Sequence, residues 1–99
     1  MGCKESYDIE IAAREYYDSL KDSGTILGDY TSFQDACLNC QKAYAERTKG
    51  TFISKINKAV LIREQDCKVF IISSQFSDGK EEVYRIVYHK SGFTTVSTQ

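Results

Sequence analysis

The spacing of hydrophobic and polar positions changes once along the chain, near residue 50. In YDIEIAAREYYDSLKD, residues 7–22, Ile9, Ala13, Tyr16 and Leu20 recur every three or four positions, with Ala12 and Tyr17 at the edge of the stripe. That spacing predicts an amphipathic helix. Ser6 is its expected N-cap, and Asp8 and Glu10 suit the positive end of the helix dipole. Lys21 and Gly24 are the expected stop. Ile26 and Leu27, bracketed by Gly24 and Gly28, are expected to tuck into the core. A second helix is expected over residues 31–49. Thr31 and Gln34 have capping-box spacing there, and Phe33, Ala36, Cys37, Cys40, Ala43 and Tyr44 form the apolar stripe. Gly50 closes it.

From residue 51 the rhythm is strand-like. TFISKI and AVLIRE flank Asn57-Lys58, which reads as a tight turn, and CKVFIISSQ follows Gln65-Asp66. Asp78-Gly79 predicts a type I′ hairpin, because such a turn needs positive φ at both central residues. EEVYRIVYH, a turn at Lys90-Ser91-Gly92 and the short FTTVST complete the chain. The expected architecture is a single α+β domain. A tail over 1–6 precedes helices over 7–22 and 31–49. Both helices pack on one face of a four- to five-stranded antiparallel meander sheet over 51–98.

Val69-Phe70-Ile71-Ile72 is apolar on both alternations. Such a strand belongs inside a sheet, with cover wanted on both faces. The helices supply one cover. A curled sheet, the 25–28 linker or another molecule would supply the other.

Composition fits one modest folded domain: 99 residues, 41% hydrophobic and 27% charged. No apolar run nears the ~20 residues of a bilayer span, and no apolar leader is recognisable. The four cysteines (Cys3, Cys37, Cys40 and Cys67) then read as free thiols in a cytoplasmic setting. The net charge of −1 conceals a split. Residues 1–40 hold three basic and eight acidic side chains, and residues 41–99 hold ten and six. The plain reading is mutual attraction of the two halves; the sharper one is two surfaces of opposite sign offered to different partners.

Chemistry is sparse. Cys37-Leu38-Asn39-Cys40 is a CxxC inside a helical stripe, where small buried thiols are expected rather than a redox pair at a helix start. A zinc site would have to recruit Cys67 and His89 from separate strands, without paired spacing. His89, the lone histidine, reads as a solvent-facing strand end, not as the partner of a Cys67 nucleophile. The carboxylates Asp8, Glu10, Glu15, Asp18 and Asp22 fall mostly opposite the apolar stripe, as on a solvated helix face. No phosphate-binding glycine loop occurs. No catalytic residue, metal, cofactor or small-molecule substrate is therefore expected.

The leading expectation is a non-catalytic protein-binding module: a regulator, inhibitor or accessory subunit, by analogy of size with virus- or phage-encoded ones. Seven tyrosines favour it, since tyrosine gives large contact area at low entropy cost. The expected interface residues are Phe70, Ile72, Tyr84 and Tyr88, toward a protein partner or another copy of the chain. Two alternatives stand beside it. Lys55, Lys58, Arg63, Lys68, Arg85 and Lys90 around the tyrosine strand suit a single-stranded nucleic acid, although Tyr84, Ile86 and Tyr88 share a face that also suits a core. MGCKES fits a myristoylation pattern, with Gly2 and Cys3 as acyl sites of a membrane-associated adaptor.

Overall fold

The computed structural model describes residues 3–22 and 27–99, with only the backbone given for 3–8 and 21–22. Two helices, α1 (Cys3–Asp22) and α2 (Tyr30–Arg47), precede β1 (Ile53–Arg63), β2 (Cys67–Phe76), β3 (Glu81–His89) and β4 (Thr94–Thr98). The strands form one open sheet in the order β1-β2-β3-β4, and every neighbour is antiparallel. Both helices lie on the same face. Ile9 and Ala13 of α1, with Phe33, Ala36, Cys37 and Cys40 of α2, are fully buried against Ile53, Ile56, Phe70, Ile72, Phe76 and Ile86 of the sheet. Each large apolar side chain so buried contributes about 1.5–3 kcal/mol. Phe33 sits at the junction, its ring 6.3 Å from Phe70 and 6.0–6.1 Å from Tyr17 and Tyr16.

The helix starts differ from expectation. α1 already includes residues 3–6, so Ser6 lies within the helix rather than capping it. Lys4 and Glu5 are good helix formers, and no Gly or Pro separates them from the stripe. Gly24 and Ile26 fall outside the described residues, whereas Leu27 is buried in the core. α2 is capped by Asp29 instead of Thr31. The Asp29 carboxylate accepts from the Ser32 backbone N–H and from the Ser32 hydroxyl, each at 2.9 Å. An ionised acceptor at this position binds the free helix donors more strongly than a threonine hydroxyl does.

β1 runs unbroken through Asn57-Lys58, where a turn was expected. Its buried residues are Ile53, Ile56 and Ala59, three apart. The register explains this spacing. Between Ile53↔Phe76 and Lys55↔Gln75, and again between Ile56↔Ser74 and Lys58↔Ser73, two residues of β1 oppose one of β2. Each extra residue is a β-bulge, which delays the inward alternation by one position. Ser54, Lys55, Asn57 and Lys58 are all left exposed. Side chains from the helices then fasten this edge strand. The Ile53 N–H donates to Gln41 Oε1 and the Ala59 N–H to the Tyr16 hydroxyl, both at 2.9 Å.

The β2–β3 hairpin is not type I′. Gly79 has φ +89°, but no described non-glycine residue has positive φ. Gly79 N–H donates to Phe76 O at 2.9 Å and Phe76 N–H to Lys80 O at 2.8 Å. That is a three-residue loop in which only the glycine is left-handed. Asp78 acts through its side chain, accepting from Lys80 N–H at 3.0 Å and from the Tyr44 hydroxyl at 2.6 Å. The β3–β4 turn repeats the pattern, with Gly92 at φ +109° and matching bonds between His89 and Phe93.

Candidate interaction surface on the open sheet face

β2 lies inside the sheet, between β1 and β3. Phe70 and Ile72 point toward the helices; Val69 and Ile71 point the other way. No described segment of the chain crosses that second face. The register assembles it row by row: Ile62–Val69–Val87–Thr95, then Val60–Ile71–Arg85–Ser97, then Lys58–Ser73–Val83. Val69 is only 1% exposed, screened by its neighbours, while Val60 and Ile62 remain 38% and 39% exposed. Asn57, Lys58, Val60, Ile71, Ser73, Glu81 and Val83 line a shallow groove of about 470 Å³ here. The second bulge is what brings Asn57 and Lys58 to its rim.

The charges on this face are unequally satisfied. Glu81 accepts from Asn57 Nδ2 at 2.7 Å and from the Ser73 hydroxyl at 2.9 Å. Glu64 accepts from the Cys67 thiol at 3.2 Å. The side chains of Lys55, Lys58 and Arg85 have neither an ion pair nor a hydrogen bond among the described residues, where the ion pairs are Arg14–Asp18 and Arg47–Glu82. Hydrogen bonds from neutral donors cancel no charge, so the face sets Lys55, Lys58 and Arg85 against Glu64 and Glu81, a net excess of one positive charge.

The sequence-expected interface residues lie on the opposite side. Phe70, Ile72 and Tyr84 are buried beneath the helices and offer a partner nothing. Tyr88 is half-buried, donating to Asp35 Oδ2 at 2.7 Å and accepting from Asn39 Nδ2 at 3.1 Å. Burial, then the Asp35 bond, pushes its hydroxyl well above the usual tyrosine range. Tyr84 accepts from Arg47 at 3.3 Å. The reason is plain from β3: Tyr84, Ile86 and Tyr88 share the face that the helices cover, and Val83, Arg85 and Val87 share the other. The expectation correctly saw two apolar alternations in β2 but selected the bulkier set in β3, which the core claims first.

The six cations are not brought together. Lys55, Lys58 and Arg85 belong to the open face. Lys68 lies on the helix side, 3.4 Å from the Ser32 hydroxyl and 6.0 Å from the Phe70 and Tyr88 ring centres. Arg63 pairs with Lys68 across β1 and β2, and Lys90 sits in the β3–β4 turn. Tyrosines and most free cations thus occupy different sides, so a base-stacking platform is not assembled.

The thiols are similarly divided. Cys37 and Cys40 are buried, and burial pushes both upward, Cys40 to about 12. A thiol that stays protonated is a poor nucleophile and metal ligand. Cys67 and His89 face each other across β2 and β3 on the open side. The Glu64 hydrogen bond raises the Cys67 thiol, and the His89 ring stacks on Phe93 at 3.9 Å. Among the described residues no three His, Cys, Asp or Glu side chains converge. Gly2 falls outside the described residues, and Cys3 opens α1. Among the described residues, no helix is long and apolar enough to cross a membrane.

In comparisons with known proteins, no family model, no curated protein and no solved structure matches the chain.

Proposed function

We propose that this chain is a small non-catalytic module that acts in the cytoplasm by binding another protein on the open face of its sheet, as a regulator, inhibitor or accessory subunit. One observation carries the reading: Val60 and Ile62 stand open beside the screened Val69–Val87 pair on a sheet whose other face is closed by two helices. Aliphatic side chains clustered on one uncovered sheet face are what a docking surface requires. The thiols of Cys37 and Cys40, buried and pushed upward by that burial, are poorly suited to act as nucleophiles.

Ile11 on α1 supplies an internal control, because it is as exposed (42%) as Ile62 (39%) but lies among charges on the other side of the molecule. A photoreactive amino acid is placed at position 62 or at position 11 in the host cell. Position 62 should cross-link to one discrete partner and position 11 should not. Equal labelling at both sites, or labelling only at 11, would refute the reading.

A further inference from the structure

We infer that the open sheet face takes an acidic amphipathic helix, with aliphatic side chains laid over Val60, Ile62 and Ile71 and carboxylates on Arg85, Lys58 and Lys55. This deepens the protein-binding reading and rests on it. Three observations support it. Lys55, Lys58 and Arg85 outnumber the two carboxylates of the face, Glu64 and Glu81, which are held by the neutral donors Cys67, Asn57 and Ser73, and none of the three cations has an ion pair among the described residues. Arg85 stands between Ile71 and Ser97 in the register, with Val83 and Val87 to either side along β3, so it borders the aliphatic field where this gives way to the polar Thr95 and Ser97 of β4. Closing that field over Arg85 without a carboxylate would strand a desolvated charge, which costs far more than the flanking aliphatic contacts return. Width is the third. Val60 and Ile71 lie on adjacent strands and Arg85 on the next, about 10 Å across in all. An α-helix is about 10–12 Å in diameter.

A second copy of the chain fits poorly. Face to face, each copy would bring the same net positive charge to the other. Face to back, it would offer the acidic outer side of α1. Ile11 is the exposed large hydrophobe there, and Asp18 is already paired with Arg14 at 3.9 Å.

The test uses the full chain, ¹⁵N-labelled, and a designed helical peptide of about 18 residues with a leucine stripe flanked by glutamates. A peptide of the same pattern with lysine for glutamate and an oligothymidylate single strand are the controls. The acidic peptide should shift amides of β1, β2 and β3 around Val60, Ile71 and Arg85, and should weaken as salt rises. Arg85→Glu should weaken it at least tenfold and favour the lysine peptide; Lys58→Glu should act in the same direction if Arg85→Glu disturbs the fold. Equal binding of both peptides, shifts confined to the helices or β4, preference for the oligothymidylate, or a dimer by light scattering would each overturn the inference. The cross-link at position 62 separates the two claims. A partner captured there while the acidic peptide fails removes only the helix assignment, and an empty cross-link removes both.

Discussion

Ser74 sits in the middle of β2 on the helix side, fully buried, and its hydroxyl is the buried side-chain polar atom without a hydrogen-bond partner among the described residues. An unsatisfied buried polar group costs about 1–3 kcal/mol. Ser74→Ala should therefore leave stability unchanged or raise it by up to about 1 kcal/mol in urea unfolding, the reverse of most core substitutions. Phe70→Ala, four positions earlier on the same face, should cost about 3–5 kcal/mol, because its fully buried ring packs 6.3 Å from that of Phe33. The Tyr44–Asp78 bond gives a pH signature. The Tyr44 hydroxyl, then the Lys80 N–H, holds the Asp78 carboxyl below its ordinary value of 3.8. A lowered carboxylate pKa stabilises the fold above the unfolded value and loses that stabilisation as pH falls through the folded one. Wild type should thus exceed Tyr44→Phe in unfolding midpoint at neutral pH, and the gap should narrow as the pH drops below about 4. Thermal unfolding of both proteins across that range checks it. None of these pairings was legible in the sequence, since Tyr44 and Asp78 lie 34 positions apart and meet only once α2 is laid on the sheet.

At the scale of the element, the helices and three of the four strands follow from periodicity, and the misreadings cluster at ends and irregularities. Thr31–Gln34 has the spacing of a cap, yet Asp29 two residues earlier presents a stronger acceptor. β1 misled for a more specific reason. Apolar residues at 53, 56 and 59 fit neither a period of two nor one of 3.6, and a turn at Asn57-Lys58 is the simplest way to divide such a run. Two bulges achieve the same inward spacing without a break. Removing Asn57 takes out the extra residue and should leave a folded protein with a regular ladder at Lys58↔Ser73. Removing Val60 from the regular part of the strand moves Leu61 and Ile62 to the wrong faces and should prevent folding. Circular dichroism and amide spectra of the two deletions distinguish them. If both fold equally well, or neither does, the bulge interpretation fails.

On the scale of the whole molecule, the expectation of two helices over one face of an antiparallel meander holds, with four strands. The inner position of β2 was legible because its two alternations are both apolar. Which alternation would be left uncovered was not, because that depends on where β3 puts its tyrosines once the helices dock. The result is a domain with an acidic outer helix on one side and an aliphatic, positively charged sheet face on the other. The most direct measurement compares wild type with the double variant Val60→Asp/Ile62→Asp, in both unfolding midpoint and affinity for the partner captured through position 62. Both side chains are exposed and remote from the helix-side core. The account predicts a protein that stays folded but is destabilised by about 1–3 kcal/mol, since aspartate suits a strand poorly and Ile62 lies beside the buried Val69, and at least a tenfold loss of affinity. Unaltered affinity in a variant that stays folded would contradict it.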